Sequence, residues 1–456
     1  MSSSFSPNVP QPDGTLSPSS GPVYGTFPDD PAATSNLETV VLLQPINNFS
    51  PRRRRRGACT CYCIFVLFAV FAVGLVLVYS LGRPPFSCLG RFPLVSPPDR
   101  EVTQDWSAFR NQSWAAGFDL TAGYGTSSVA FNNGTVVDVV KWQQGTQYND
   151  VLARVSREEA QHPTPPYYNC TAIREDVGRQ WNRWWRKKRR MPASNDVLAL
   201  VSPLLLLKTD TNAWLRKRGM DEMQVVFVTV PLLPAIYMED LVDAAAFVGL
   251  QVLTLPWGIH GNAYSVHLPV TEINTAFAGM GLGLDGIFPS KNETEPWSEN
   301  IFSVLFTKKA LTAQVSSIKS APHFYAAEGI ANFSLGLEAM DAMGNETYWH
   351  AVRSALKDAL DSDSYWYYWH GGHELGRVIV HGEAAENDIF QGVLREEVKA
   401  AQWSDEEEKQ PRFWSVGPVF AGSRGAAIFG NWCQRGLGQN WHACFPNLTP
   451  DGPPWF

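Results

Sequence analysis

An uncharged apolar stretch preceded by five arginines divides this 456-residue chain before any fold is considered. Arg52 to Arg56 come first; from Cys61 to Leu81 there is then no charge, and Ile64 to Val78 is almost wholly Val, Leu, Phe, Ala and Ile. At helical rise such a stretch covers a hydrocarbon core of about 30 Å, so residues 59–82 are expected to form a transmembrane helix. It lies far from the N-terminus and is longer than the apolar region of a cleaved leader, which favours a signal anchor. Five arginines before it against Arg83 directly after it predict a cytosolic N-terminus and a single-pass type II membrane protein. The Golgi and secretory pathway or the cell surface is the expected location.

The other parts separate by composition. Residues 1–58 form an expected cytosolic tail, whose Ser, Pro, Asn and Thr without apolar periodicity predict disorder. Pro84, Pro85, Pro93, Pro97 and Pro98 mark 83–110 as an extended stalk. A compact ectodomain over 111–435 and a C-terminal tail over 436–456 follow.

Everything beyond the span is expected to meet glycosylation and oxidation. Sequons at Asn111, Asn133, Asn169, Asn292, Asn332, Asn345 and Asn447 all lie there, and each is a surface loop if used. Cys88, Cys170, Cys433 and Cys444 form an even outer set, for which Cys433–Cys444 and Cys88–Cys170 are the favoured pairings of three. Cys59, Cys61 and Cys63 hug the cytosolic membrane face, where palmitoylation and unmodified thiols are alternatives. The net charge of -7 implies no nucleic-acid partner.

Within the ectodomain, Gly117 to Leu120, a loop over Thr121 to Gly125, and Thr126 to Phe131 lead through Asn133-Gly134 into Thr135 to Val140. This is a strand, a phosphate-sized loop and a returning strand, in which small residues let backbone N–H groups approach an anion. Periodicity then predicts a helix over Asp196–Leu215, a strand over Gln224–Val230, a helix over Ala235–Val248 and a strand from Gly249. A hairpin is expected over Asn300–Phe306 and Leu311–Ile318, then a helix over Thr347–Leu360. A strand at Arg377–Val380 precedes a helix over Asn387–Lys399 that presents Ile389, Val393 and Val398 on one side. Strands alternating with helices indicate α/β packing.

Several segments resemble the ATPase domain of the seventy-kilodalton heat-shock proteins, within the actin-like superfamily. Val225 to Pro231 is similar to that family's strand A-V-I-T-V-P-A-Y, and Asp243 to Leu250 to its helix D-A-G-x-I-A-G-L. Thr275 to Ala278 with Gly281 to Asp285 resembles T-A-A-A-x-x-Y-G-L-D, and Gly117 to Ala130 the first phosphate loop. Val378 to Gly382 is similar to the adenosine-side motif V-L-V-G-G-S-x-R, and the small-residue helix at Gly422 to Ala427 to A-x-G-A-A. The resemblance spans about 115–430. It implies two duplicated α/β subdomains and, as nucleotide contacts, Asp119, Thr121, Gly123, Tyr124 and Gly382, with ATP or ADP and Mg as the ligand.

Departures from the pattern weaken that ligand. Ala122 and Gly123 stand where the family has paired threonines, and Phe306 to Leu311 replaces its second loop, D-L-G-G-G-T. Losing an aspartate and a glycine cradle removes charge neutralisation and positioning, on which phosphoryl transfer depends. Adjacent strand residues point to opposite faces, so at most one of Lys308 and Lys309 is expected to face a cleft. No catalytic residue is assigned, and a non-hydrolysing module with a protein partner is expected.

A second reading is a Golgi glycosyltransferase, whose metal and sugar nucleotide Asp361-Ser362-Asp363 would hold; a solvated helix end is the plainer account. His370, His373, Glu374 and His381 are expected to be surface loop residues, and no metal site is assigned. Arg179 to Arg190 interleaves Trp181, Trp184 and Trp185 with cations, which suits a membrane surface, a polyanion or a solvated helix face.

Overall fold

The computed structural model describes residue 109 and residues 111–165, 170–255, 269–284, 299–361, 375–401, 410–435 and 444. The expected tail and membrane span lie outside these, and almost all of the stalk; so do Cys59, Cys61, Cys63, Cys88, Asn169, Asn292 and Asn447. Among the described residues no helix is long and apolar enough to cross a membrane.

Two five-stranded mixed sheets form the frame. In the first, β1 (Trp114–Leu120), β2 (Tyr124–Phe131) and β3 (Val136–Gln143) make an antiparallel meander. β4 (Val225–Thr229) pairs parallel with β1, and β5 (Gln251–Leu253) parallel with β4. The second sheet repeats this plan. β6 (Glu299–Phe306), β7 (Leu311–Ser320) and β8 (His323–Asn332) form its meander, β9 (Leu375–His381) runs parallel to β6, and β10 (Arg412–Trp414) parallel to β9. Counted from its own first strand, each sheet has the order third, second, first, fourth, fifth.

Connecting segments supply the helices. α1 (Thr146–Val155), α2 (Cys170–Lys188) and α3 (Asn195–Arg216) lie between β3 and β4, and α4 (Met238–Phe247) between β4 and β5. α5 (Glu272–Gly279) joins the two sheets, α6 (Met340–Met343) and α7 (Asn345–Asp361) precede β9, α8 (Asp388–Ala401) precedes β10, and α9 (Ala421–Arg435) follows it. Ser194 caps α3 by accepting a hydrogen bond from the Val197 amide, 3.0 Å.

Strand alternation separates the layers. Val226 and Val228 of β4 enter one core with α1, α3 and α4, while Val225 and Phe227 enter a middle core with α5 and α9. In the second sheet Ile301 and Ile379 share that middle core, whereas Phe302, Val304, Val378 and Val380 pack under α7 and α8. Both sheets are therefore covered on both faces, which is why Val225 to Val228 of β4 and Val378 to Val380 of β9 are continuous apolar runs and β6 is buried from Asn300 to Phe306. The Cys433–Cys444 disulfide forms as expected and places Cys444 in the middle core.

Some expectations need correction. The β1–β2 turn is only Thr121 to Gly123, because Tyr124 and Gly125 already pair with β3. Ile389 is exposed; the buried side of α8 is Phe390, Val393, Leu394 and Val398. Asn332 ends β8 and Asn345 begins α7, so neither is a loop residue, whereas Asn111 and Asn133 are exposed. His381 is the buried last residue of β9, not a surface histidine.

The middle layer is thin because α9 and α5 touch without side chains between them. A Cβ on Gly425 would overlap the Thr275 carbonyl, one on Gly279 the Ala421 carbonyl, and one on Gly117 of β1 the backbone of α9 at Ala427. Gly425→Ala is expected to destabilise the chain by about 3 kcal/mol or more in chemical denaturation, since neither backbone can yield in a filled core. Gly392 of α8 is exposed with open space at its Cβ position, so Gly392→Ala is expected to stabilise by about 0.5–1 kcal/mol.

Candidate functional site

The β1–β2 turn and the β6–β7 turn, Thr307 to Ala310, meet across the middle layer. A Cβ on Gly123 would lie 2.9 Å from Cγ of Lys309 and 3.7 Å from Oε1 of Glu383, and Gly123 has a φ of +93° that disfavours any side chain. The two turns at the positions of the phosphate loops that the resemblance implies are thus close neighbours, with the turn after β9 beside them.

Their amides point elsewhere. The Gly123 amide donates to Oδ1 of Asn149 on α1, 2.8 Å. In the second turn the Lys309 and Ala310 amides donate to Oγ1 of Thr307, 3.1 and 3.0 Å. Gly382, at φ +106°, donates its amide to Pro418, 3.0 Å. Phe306, standing where the resemblance requires an aspartate, is fully buried and stacks on Phe390 with ring centroids 4.0 Å apart.

Side chains complete the closure. Lys309 runs over Gly123 and pairs with Glu338, 2.5 Å, and Glu383 accepts hydrogen bonds from Lys141, 2.7 Å, and Gln143, 2.9 Å. Burial raises the Glu383 pKa, but those donors and the charges of Lys141 and Lys308 outweigh it and hold the carboxyl below its ordinary value. Lys308 and Lys309 occupy a turn, not a strand, so the alternation rule does not apply; Lys309 covers Gly123, and the Lys308 charge acts on Glu383. Lys141 also lies 4.7 Å from the Tyr124 ring centroid, whose hydroxyl donates to the Val419 carbonyl at 3.5 Å.

Beneath the turns lies a buried acidic pair. Asp119 at the end of β1 and Glu272 at the start of α5 are each 2 % exposed, and Oδ1 of Asp119 and Oε2 of Glu272 have no hydrogen-bond partner. Asp119 abuts Gly422 of α9, and Glu272 accepts a 3.4 Å hydrogen bond from Thr312 of β7. Burial pushes the Asp119 carboxyl up to about 8; burial, then the neighbouring Asp119 charge, lifts Glu272 well above the carboxylate range. Thr229, Thr271, Asn274 and Thr275 form a hydrogen-bonded polar seam alongside.

Of the expected nucleotide contacts, Asp119, Thr121, Gly123, Tyr124 and Gly382 are all described, and Gly123 reaches the β9 turn through Glu383. The residues do not fit a metal–nucleotide complex. Asp119 is sealed and favours its protonated form at neutral pH, the amides of Gly123, Lys309, Ala310 and Gly382 are bonded within the protein, and among the described residues no three His, Cys, Asp or Glu side chains are grouped to hold a metal ion. Asp361 is the exposed end of α7, and Ser362 and Asp363 lie outside the described residues.

Glu272 was not among the expected site residues; it stands three residues before Thr275, and only the packing shows its burial. Asn149 and Glu383 carry no sequence signal for their roles. No protein-family model matches the chain, and no curated protein matches it significantly.

The sign of the pH dependence follows from proton counts. Between its unfolded value of 3.8 and about 8 the folded chain holds a proton on Asp119 that the unfolded chain lacks, so stability falls as pH rises through that window. His381 opposes this below 6.5, because burial lowers its pKa to about 3 and the folded ring stays neutral. Urea unfolding from pH 6.5 to about 8 is therefore expected to show falling stability, by about 1.4 kcal/mol per pH unit for each extra proton held. Asp119→Asn removes the share of that slope that Asp119 contributes.

Proposed function

We propose that this chain carries a degenerate actin-like, heat-shock-like domain on a single-pass type II membrane anchor and works as a non-hydrolysing binding or scaffolding module of the secretory pathway or cell surface. The repeated strand order of the two sheets supports the duplicated architecture that the resemblance implies. One observation carries the non-catalytic part: the amides of Gly123, Lys309, Ala310 and Gly382, which a phosphate would need, are all bonded within the protein.

Opening that cleft has a definite cost. A ligand phosphate must displace the Lys309 stem, break these hydrogen bonds and take their donors from the half-buried Asn149 and the buried Thr307, at about 1–3 kcal/mol for the buried Thr307 oxygen left unsatisfied. A protein partner on an outer surface requires none of this. The glycosyltransferase reading has no support from the position of Asp361, which closes a helix and not a strand.

The test is thermal unfolding of the chain with Mg and saturating ATP or ADP, and separately with Mn and sugar nucleotides. No change in midpoint is expected. A nucleotide present at 100 times its Kd would add about 2.7 kcal/mol, so a clear upward shift with ATP or ADP overturns the closed-cleft reading. A shift with a sugar nucleotide alone favours the transferase.

A further inference from the structure

The helix α2 is packed inside out. Its inward face is ionic: Arg183 donates to Asp240 at 2.6 Å and to Asp243 at 2.7 Å, Lys187 to Asp243 at 3.0 Å, and Arg179 binds Asp176 and Glu239. Burial lowers the Arg183 pKa, but Asp240, Glu239 and Asp243 more than offset it and raise it overall. This charged seam holds α2 on α4 and leaves the other face outward.

That outward face is aromatic. Val177, Trp181 and Trp185 follow one another at four-residue spacing, with Trp181 54 % and Trp185 45 % exposed, and Met191 is exposed just beyond. Surface helices normally bury their apolar stripe, so a stripe held outward by ion pairs calls for cover from outside the domain.

Cations rim the stripe. Lys188 lies 5.9 Å from the Trp184 ring and Arg189 4.6 Å from the Trp185 ring. Residues 170–190 hold eight Lys and Arg; against Glu175, Asp176 and the facing Glu239, Asp240 and Asp243 the helix keeps a local charge of +3, in a chain whose net charge is -7. Indoles beside lysine and arginine are the side chains that settle at bilayer headgroups, the ring at the interface and the cation at the phosphates.

The chain also brings the bilayer within reach. If residues 59–82 span the membrane, the 26 residues from 83 to 108 extend at most about 90 Å, so the domain stays near one lipid surface. Tethering raises the local concentration of that surface, and a weak interfacial helix is then enough to dock. We propose that the outward face of α2 lies on the phospholipid headgroups of the membrane that anchors the chain, with Trp181 and Trp185 inserted and Lys188, Arg189 and Arg190 on the lipid phosphates. The tether rests on the membrane-anchor reading; the docking chemistry rests on α2.

The experiment reconstitutes the full chain into vesicles of phosphatidylserine and phosphatidylcholine brominated near the headgroup, and reads flotation and tryptophan quenching separately. Quenching is expected, and Trp181→Ser/Trp185→Ser is expected to remove a component worth about two of the 17 tryptophans, whereas Trp142→Phe leaves it. Lys188→Glu/Arg189→Glu keeps both indoles and is expected to lose the same component, at an unchanged thermal midpoint. Equal quenching in the wild type and the Trp181/Trp185 variant overturns the docking. Cross-linked dimers through α2 without lipid quenching overturn it in favour of a second copy. A chain that does not float disproves the anchor alone, since vesicles added to that chain still quench Trp181 and Trp185 if α2 binds them.

Discussion

The arrangement of the two sheets depends on α9 crossing α5 and β1 at glycines, where backbone approaches its neighbour directly. Gly425 meets the Thr275 backbone, Gly279 meets Ala421, Gly422 meets the Asp119 carboxyl and Gly117 meets Ala427. One pair of helices can then lie between two sheets and share Phe277, Ala276, Ala426 and Phe429 with both. A larger residue at any of these crossings separates the sheets and with them the three turns of the cleft, because filled interiors transmit displacement and do not absorb it.

That close approach also explains the electrostatics. With helices seated on the sheet Asp119 and Glu272 are both buried, so two carboxyl groups share a low-dielectric layer and are held as acids. Arg424, by contrast, reaches Asp138 with two hydrogen bonds of 2.8 and 2.6 Å at the edge of the same layer. Charge survives at the margin, where an exact partner exists, and is suppressed at the centre. The cleft above follows the same logic, since the amides of Gly123, Lys309, Ala310 and Gly382 have each found a protein acceptor.

Most regular elements were legible because their residues must be buried on defined faces. The helix at Asn195–Arg216, the strand at Val225–Thr229 and the hairpin of β6 and β7 agree with their expected positions to within about two residues, the usual fraying of element ends. α1 and β8 had no strong apolar period and emerge only through tertiary pairing, α1 through its contacts with α3 and β8 through its ladder with β7. Ile389 shows the limit of periodicity: it shares an apolar pattern with Val393, but helical geometry turns Phe390 and Leu394 inward instead.

By itself the sequence determined what depends on neighbours along the chain: strand and helix periods and the Cys433–Cys444 pairing across a short loop. Only the tertiary structure decided what depends on residues far apart: that Lys309 covers Gly123, that Asn149 and Thr307 consume the loop donors, that Glu272 joins Asp119, and that α2 turns its tryptophans outward. Each of these is set by a balance of burial and pairing between elements separated by tens or hundreds of residues, and such a balance leaves no local pattern to read.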